Sequence, residues 1–477
     1  MKPYGIMADM DTALAALRAV TCGTAYEGRL YLVGGALRDR ELGLPTGDEV
    51  DLVLEGDAVA LARWLAARGI SEHQPVTYPR FGTAMLTVQG TIVELVSARA
   101  ESYEPTSRKP HVRRATLRDD VLRRDFTINT LLENLHTGER LDLTGRACSD
   151  LHAGVIRTPL EPIVTFHDDP LRMLRAIRFA VRLGFTIDPG TWEAIRADAF
   201  RLSLMGPGPP VVSAERIRDE FMKTVLSPDP AHGIELLHEA GLLRHILPEL
   251  EEMIGVRQND WHAYDVWQHT LHALRALPAD AALDVRLGLL LHDVGKPRTR
   301  TEDERGIHFY EHQFVGAEMA RTMLHRLKLP NDDIHRVVDL VSLHMRLGEA
   351  RPEWSEPAIK RLIRDTELLR EPLFTIARCD IAAMSPDAPV TDLDALRERI
   401  EDVDRRTHAA RLVSPLDGRQ VMDALGIAGG PLIGRAKDYL LNEVIEGRLR
   451  PDDTEAALSA LHAWARSRPN DEGDPRC

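Results

Sequence analysis

Apolar positions recur at helical spacing over the first 25 or so residues, and the stretch GRLYLVGGALRDRELG from Gly28 then predicts a short strand, a tight glycine turn and a helix from Ala36. EVDLVLEG predicts a second strand and Asp57 to Arg68 a helix. FGTAMLTVQGTIVELVSAR predicts two more strands around a turn at Gln89 and Gly90. Together these make a small mixed sheet with helices against it. Beyond about residue 115 the period lengthens: DDVLRRDFTINTLLENLHTG predicts a helix up to Gly138, and from Asp168 a spacing near 3.6 runs through most of the remaining chain. The expected fold class is therefore α+β, a mixed sheet with helices at the N-terminus followed by a largely all-helical body. Loop-like PL, PGPP, PD and SPL segments divide the chain into 1–160, 161–250, 251–394 and 395–477. The tail RSRPNDEGDPRC has nothing to bury and is expected to fray.

Composition narrows the function. The 477 residues carry 60 Lys plus Arg against 74 Asp plus Glu, a net charge of -14, which argues against a surface that coats nucleic acid or anionic membrane nonspecifically. Cys22, Cys148, Cys379 and Cys477 stand singly, so neither a CxxC metal module nor a disulfide framework is expected. Acidic residues interrupt the first thirty positions, and no 18-residue run is free of charge. A soluble, cytoplasmic protein without membrane partners is the expectation.

Candidate chemistry begins at Gly34 and Gly35, where backbone N–H groups near a helix start suit a phosphate, although such a pair also serves simply as a strand-to-helix turn. Alternation on the next strand puts Glu49 and Asp51 on one face, and Glu94 adds a carboxylate from the apolar strand TIVELV. Crowded carboxylates repel one another unless a proton or cation intervenes, so divalent ions such as Mg²⁺ would fit there. The bland alternative is a solvated edge strand, and Asp48 is a fallback for Glu49. Between Arg108 and Arg124 lie seven Lys or Arg against two Asp, a local basic stretch beside these carboxylates. Further on, DDPLRMLRAIRFAVRLGF sets a stripe of Leu171, Leu174, Ile177 and Val181 beside Arg172, Arg175, Arg178 and Arg182, which calls for anions or carboxylates nearby. A later region holds WHAYDVWQHTLHAL, LLLHDVGKPR, HFYEHQFVG and LVSLHM; His-Asp dyads on helices with further His gather divalent cations for phosphate-ester hydrolysis.

The order and spacing of LVGGALRDRELG, EVDLVLEG, RRDFTIN and DDPLRMLRAIRF resemble the class II tRNA nucleotidyltransferase and bacterial poly(A) polymerase family. That resemblance implies triphosphate contacts from Gly34, Gly35, Arg38 and Asp39, and metal ligation by Glu49 and Asp51, where the family usually reads D-x-D. It implies nucleotide contacts from Arg123, Arg124, Asp125 and Asn129. Asp168, Asp169 and Arg172 stand where the family's E-D-x-x-R motif pairs with the base of CTP or ATP, with Arg175 and Arg178 beside them. SAERIRDEFMK resembles the family's ERI segment at Glu215 and Arg216. The His-rich region resembles the HD phosphohydrolase superfamily, implying His269, His292, Asp293 and Asp380 as ligands of a divalent metal of unspecified identity, with His312 and His344 for a second position. In the segment-wise reading, 1–160 is the nucleotidyltransferase head, 161–250 selects nucleotide and binds RNA, 251–394 is the HD domain, and 395–477 is a helical RNA-binding element. The implied activity is template-independent addition of CCA to the 3′ end of tRNA. The alternatives are CC-only or A-only addition, poly(A) addition, and an HD phosphohydrolase with a decayed head.

Overall fold

A computed structural model describes residues 10–47, 49–104, 107–205, 210–259 and 261–467. Asp48, the side chains over 101–112, and most of the expected fraying tail lie outside the described residues.

The chain opens with helix α1 (Met10–Thr21), then strand β1 (Leu30–Val33) and helix α2 (Gly35–Glu41). Strand β2 (Glu49–Leu54) leads into helix α3 (Ala58–Ala66), whose first turn is closed by the Asp57 carboxylate accepting from the Ala60 N–H. Strands β3 (Val76–Tyr78), β4 (Thr83–Val88) and β5 (Thr91–Ser97) follow; β4 and β5 are joined through Gln89 and Gly90 at φ 50° and 77°, the left-handed pair that a two-residue hairpin turn demands. A separate hairpin is formed by β6 (Arg99–Glu104) and β7 (Ser107–Arg114), and helix α4 (Leu117–Leu122) starts from a Thr116–Asp119 capping box. Strands β8 (Leu132–Asn134) and β9 (Arg140–Leu141) complete a seven-stranded sheet in the order β3-β4-β5-β2-β1-β8-β9.

Within that sheet β2 and β5 run parallel, with Asp51 opposite Glu94, while β1 runs antiparallel to β2 with Val33 opposite Asp51. Val50, Leu52 and Leu54 are completely buried in a core shared with Leu61 and Leu65 of α3, so alternation turns Asp51 to the opposite face.

The helix expected through Gly138 stops at Leu122. Asp125 accepts from the Phe126 N–H and ties down Asn129, and LEN then pairs with the free edge of β1 as β8. An edge of β1 with unpaired N–H and C=O groups is satisfied better by a strand than by a continued helix. Propensity favoured a helix there, and the tertiary pairing overrode it.

From Pro162 onward the chain is mainly helical, including Leu171–Leu183, Ala214–Val225, Val266–Arg275, Leu283–Leu291, His312–Arg326, Asn331–Leu343 and Arg370–Ala382. Three later helices, Gly418–Leu425, Pro431–Ile445 and Thr454–Arg466, share a small core around Leu416, Val421, Leu440 and Leu461; GGPLIG supplies the start of the second. Two compact units result. One comprises the residues up to Ile254 together with Thr322–Asn331, and the other Gly255–Arg321 together with the residues from Asp332 on. No helix among the described residues is long and apolar enough to cross a membrane.

Candidate active sites

In the first unit β1 ends at Val33 and the chain turns through Gly34 at φ 81°, a conformation that suits glycine. A Cβ at Gly34 would lie 2.8 Å from Asp51 Oδ2, so the turn and the carboxylate are in direct apposition. Asp51 and Glu94 share one sheet face through their register and line a cavity of about 190 Å³ with Arg99, Arg123 and Arg124. Burial pushes the Asp51 carboxyl above its ordinary value, Arg124 opposes this, and Glu49 adds to it. Burial and then the Asp51 charge raise Glu94 likewise. Glu49 is exposed at the start of β2 and does not line the cavity. Two half-buried carboxylates on one face, each pushed up by burial and Glu94 also by the Asp51 charge, suit a divalent cation. Among the described residues, however, the only three-ligand clusters with donor atoms within 4.8 Å of one another lie in the second unit. Glu49, Asp51 and Glu94 form no such three-ligand cluster.

The arginines around this cavity are held by carboxylates. Asp120, completely buried on α4, divides its oxygens: Oδ1 accepts from Arg123 Nη2 at 2.6 Å and Oδ2 from Arg124 Nη2 at 3.1 Å. Burial pushes the Asp120 carboxyl up, but Arg124 and Arg123 outweigh it and hold it below its ordinary value. Sequence reading passed over Asp120, although its i,i+3 and i,i+4 spacing to two arginines was the available signal.

Asp125 is bound by Arg175, 50 positions away, with Nε at 2.8 Å and Nη2 at 2.5 Å, rather than by an arginine one helical turn off. Against its burial, Arg175 and the Asn129 hydrogen bond keep its carboxyl well below the usual range. Asn129 links Asp125 to Arg38, which donates to Asn129 Oδ1 at 2.8 Å and to Asp39 Oδ1 at 2.7 Å; Arg182 reaches the other Asp39 oxygen at 3.1 Å. A buried relay of charge thus joins α2, the RRDFTIN segment and the helix Leu171–Leu183.

Three of the four arginines on that helix find carboxylate counterions. Arg178 binds Glu220 at 2.6 Å, Arg175 binds Asp125, and Arg182 binds Asp39. Arg172 is buried and donates to the carbonyls of Arg123 at 2.7 Å and Thr165 at 3.4 Å. Asp169 accepts from Arg216 at 2.6 Å and Asp168 ends the helix Pro162–Asp168. Arg216 of the ERI segment therefore grips Asp169, while Glu215 pairs with Lys328 at 2.7 Å.

The second unit gathers His269, His292, Asp293, His312, His344 and Asp380. Two triads, His269–His292–Asp293 and Asp293–His312–His344, are buried and close enough for one ion each, sharing Asp293. Backbone carbonyls of Leu289, Phe309 and Val341 engage Nδ1 of His292, His312 and His344 at 2.7, 2.9 and 2.7 Å, which puts the proton on Nδ1 and leaves Nε2 as the ligand atom. His292 Nε2 is buried without a hydrogen bond, 3.1 Å from Asp293 Oδ2 and out of alignment with it. His312 and His344 bring their Nε2 atoms to 3.3 Å, and burial holds His344 down to about 3, keeping it neutral. Asp380 meets His269 Nε2 at 2.8 Å. Burial works against the Asp293 charge, but His292 and Lys296 keep its carboxyl well below the ordinary value, Lys296 at 2.7 Å. The orphaned Nε2 of His292, the neutral His344 and the negatively charged Asp293 and Asp380 belong to a donor set for one or two divalent metals. A cavity of about 490 Å³ opens onto it, lined also by Trp261, Phe309 and Tyr310.

A mixed sheet that sets carboxylates against a glycine turn, followed by arginine-edged helices, has the architecture of a nucleotidyltransferase head. Residues 30–157 match the poly A polymerase head domain, 184–254 the probable RNA and SrmB-binding site of polymerase A, and 260–384 the HD domain. The chain is 36% identical over 362 residues to an A-adding tRNA nucleotidyltransferase of Deinococcus radiodurans, covering 74% of this chain and 80% of the relative. It is 35% identical over 361 residues to a CC-adding tRNA nucleotidyltransferase of Thermus thermophilus, covering 74% and 78%. The fold is similar to that of the Bacillus stearothermophilus CCA-adding enzyme in complex with CTP, with a TM-score of 0.64 at 22% identity, covering 96% of this chain and 98% of that one. The chain belongs to the class II tRNA nucleotidyltransferase and poly(A) polymerase family, with an HD phosphohydrolase-like domain after its head.

Proposed function

We propose that this protein adds CCA to the 3′ end of tRNA from CTP and ATP, in the cytoplasm, releasing pyrophosphate. The observation that carries this reading is the single cavity holding Asp51 and Glu94 with Arg123 and Arg124. Asp51 and Glu94, with Glu49 from the strand start, would hold Mg²⁺. Bound Mg²⁺ neutralises triphosphate charge and lowers the pKa of the RNA 3′ hydroxyl that attacks the α-phosphate. The Gly34–Gly35 turn presents backbone N–H groups to the triphosphate. Arg123 and Arg124, already oriented by Asp120, supply donors to it.

Base choice falls to Asp169 and Arg172. Arg172 offers donors to cytosine O2 and N3 or to adenine N1, and Asp169 accepts from the exocyclic amine. Both already have protein partners, and a guanidinium with five N–H groups or a carboxylate with about four lone-pair sites keeps capacity for a base. Asp125 and Asn129, bonded to each other at 3.0 Å, face sugar and phosphate in this reading, with Asp168, Arg175 and Arg178 supporting the pocket.

The HD cluster supplies a second, metal-dependent phosphohydrolase activity, for which the buried donor set is the support. Addition of CC alone or A alone is the second reading of the head, favoured by the Thermus thermophilus and Deinococcus radiodurans relatives.

tRNAs lacking one, two or three terminal nucleotides, incubated with each labelled nucleotide and sequenced at their ends, separate these readings. CCA addition completes all three. Partial enzymes stop or start midway, a poly(A) polymerase runs past the final A, and no incorporation sinks the transferase reading.

A further inference from the structure

Beside the carboxylate cavity lies a second one of about 290 Å³, lined by Arg63, Arg80, Arg99 and Arg114 with Asp57 and Ser97. Four guanidiniums face one carboxylate. Arg114 pairs with Asp57 at 2.6 Å, and Arg99 donates to the Phe81 carbonyl and to Thr83 Oγ1 at 3.0 Å, which fixes the wall of the cavity. Arg63 and Arg80 are exposed. Arg99 also lines the cavity of Asp51 and Glu94, so one side chain forms the wall that the two spaces share.

The position of this cavity in the sheet gives it meaning. β1 is antiparallel to β2, so the Gly34–Gly35 turn sits at the end of the sheet where β2 begins. β5 is parallel to β2, so Ser97 and Arg99 lie at the opposite end, toward β4. Asp51 and Glu94 stand between the two. In-line displacement at phosphorus places the attacking hydroxyl opposite the departing pyrophosphate. With the triphosphate at the glycine turn, the acceptor strand enters from the arginine end.

We infer that the cavity of Arg63, Arg80, Arg99 and Arg114 is a phosphodiester subsite that grips the backbone of the RNA 3′ strand just upstream of the reacting hydroxyl. This rests on the transferase reading above. The grip is independent of base identity, as extension through successive nucleotides requires, because guanidiniums recognise phosphate and not base edges. On a chain of net charge -14 it also confines RNA attraction to this end of the head.

The test measures equilibrium binding of tRNA lacking its terminal A across a salt series, for the full chain and for the Arg63→Glu/Arg80→Glu double variant. Both positions are exposed, so the fold tolerates the change. Affinity is expected to fall about tenfold at low salt, and the slope of log affinity against log salt to fall by about 1.5, the release expected for two phosphate contacts. ATP binding stays unchanged, and Arg63→Lys/Arg80→Lys restores most of the loss. Unchanged tRNA affinity, or lower affinity with an unaltered salt slope, overturns the subsite. Wild-type protein that binds tRNA with the expected double-variant effect but incorporates no nucleotide overturns the transferase reading and leaves the phosphate subsite standing.

Discussion

The two metal-fitting regions are built on opposite plans. In the HD cluster every expected ligand is nine-tenths or more buried except Asp380, and three histidines are pinned through Nδ1 to main-chain carbonyls, so its geometry exists before anything binds. In the head Asp51 and Glu94 share a face and one cavity without forming a three-ligand cluster, and Glu49 stays in solvent. Pinning costs the HD site adaptability, whereas under the proposed function the head accepts an RNA end that changes with each addition. An open carboxylate face suits the second task, and a preformed imidazole cage suits a site that holds its metals in one geometry.

The largest break in this comparison comes from paired substitutions. Asp51→Asn is expected to lower nucleotide incorporation by about a thousandfold, about 4 kcal/mol of transition-state stabilisation, while metal content of the HD cluster measured by elemental analysis stays as in the wild type. His292→Ala reverses the pattern, losing bound metal and sparing incorporation. If His292→Ala also abolished incorporation with the fold intact, the two regions would not be separate plans.

A smaller effect is expected at Asp120. Asp120→Asn removes the charge that orients Arg123 and Arg124, so unfolding free energy in urea should drop by about 2 kcal/mol. KM should rise for CTP and ATP alike, since the arginines meet phosphate and not base. A change for one nucleotide only would move Asp120 into base selection.

The smallest concerns pH. Arg124 lowers the proton affinity of Asp51, so Arg124→Gln lets the Asp51 carboxyl rise further. A carboxylate protonated at higher pH loses its cation earlier as pH falls, so the acid limb of the incorporation profile should move up by about half a pH unit. An unmoved limb would separate Arg124 from Asp51 electrostatically.

Much of this was legible in the chain. The sheet, the glycine turn and the shared face of Glu49 and Asp51 were legible, the last from period-2 alternation that core burial enforces, whereas the pairing of Asp51 with Glu94 needed the strand register. The LEN strand was not legible, because its partner is the β1 edge about 100 residues earlier and local spacing reads as helix. Asp120 was missed for a related reason: a carboxylate three and four positions before two arginines looks like a surface pair until its complete burial is known. The Asp125–Arg175 pair, separated by 50 positions, carries no local signature at all.

Gly34 offers an experimental opportunity. Alanine there would place a methyl group 2.8 Å from Asp51 Oδ2 and a side chain at φ 81° and ψ -146°, a backbone region essentially confined to glycine, so the turn or the carboxylate has to shift. Gly34→Ala is expected to displace Asp51 and lower nucleotide incorporation, while tRNA affinity measured by equilibrium binding is retained, since the arginine-lined cavity includes neither residue. Such a protein is a natural bait for holding tRNA in place without consuming it.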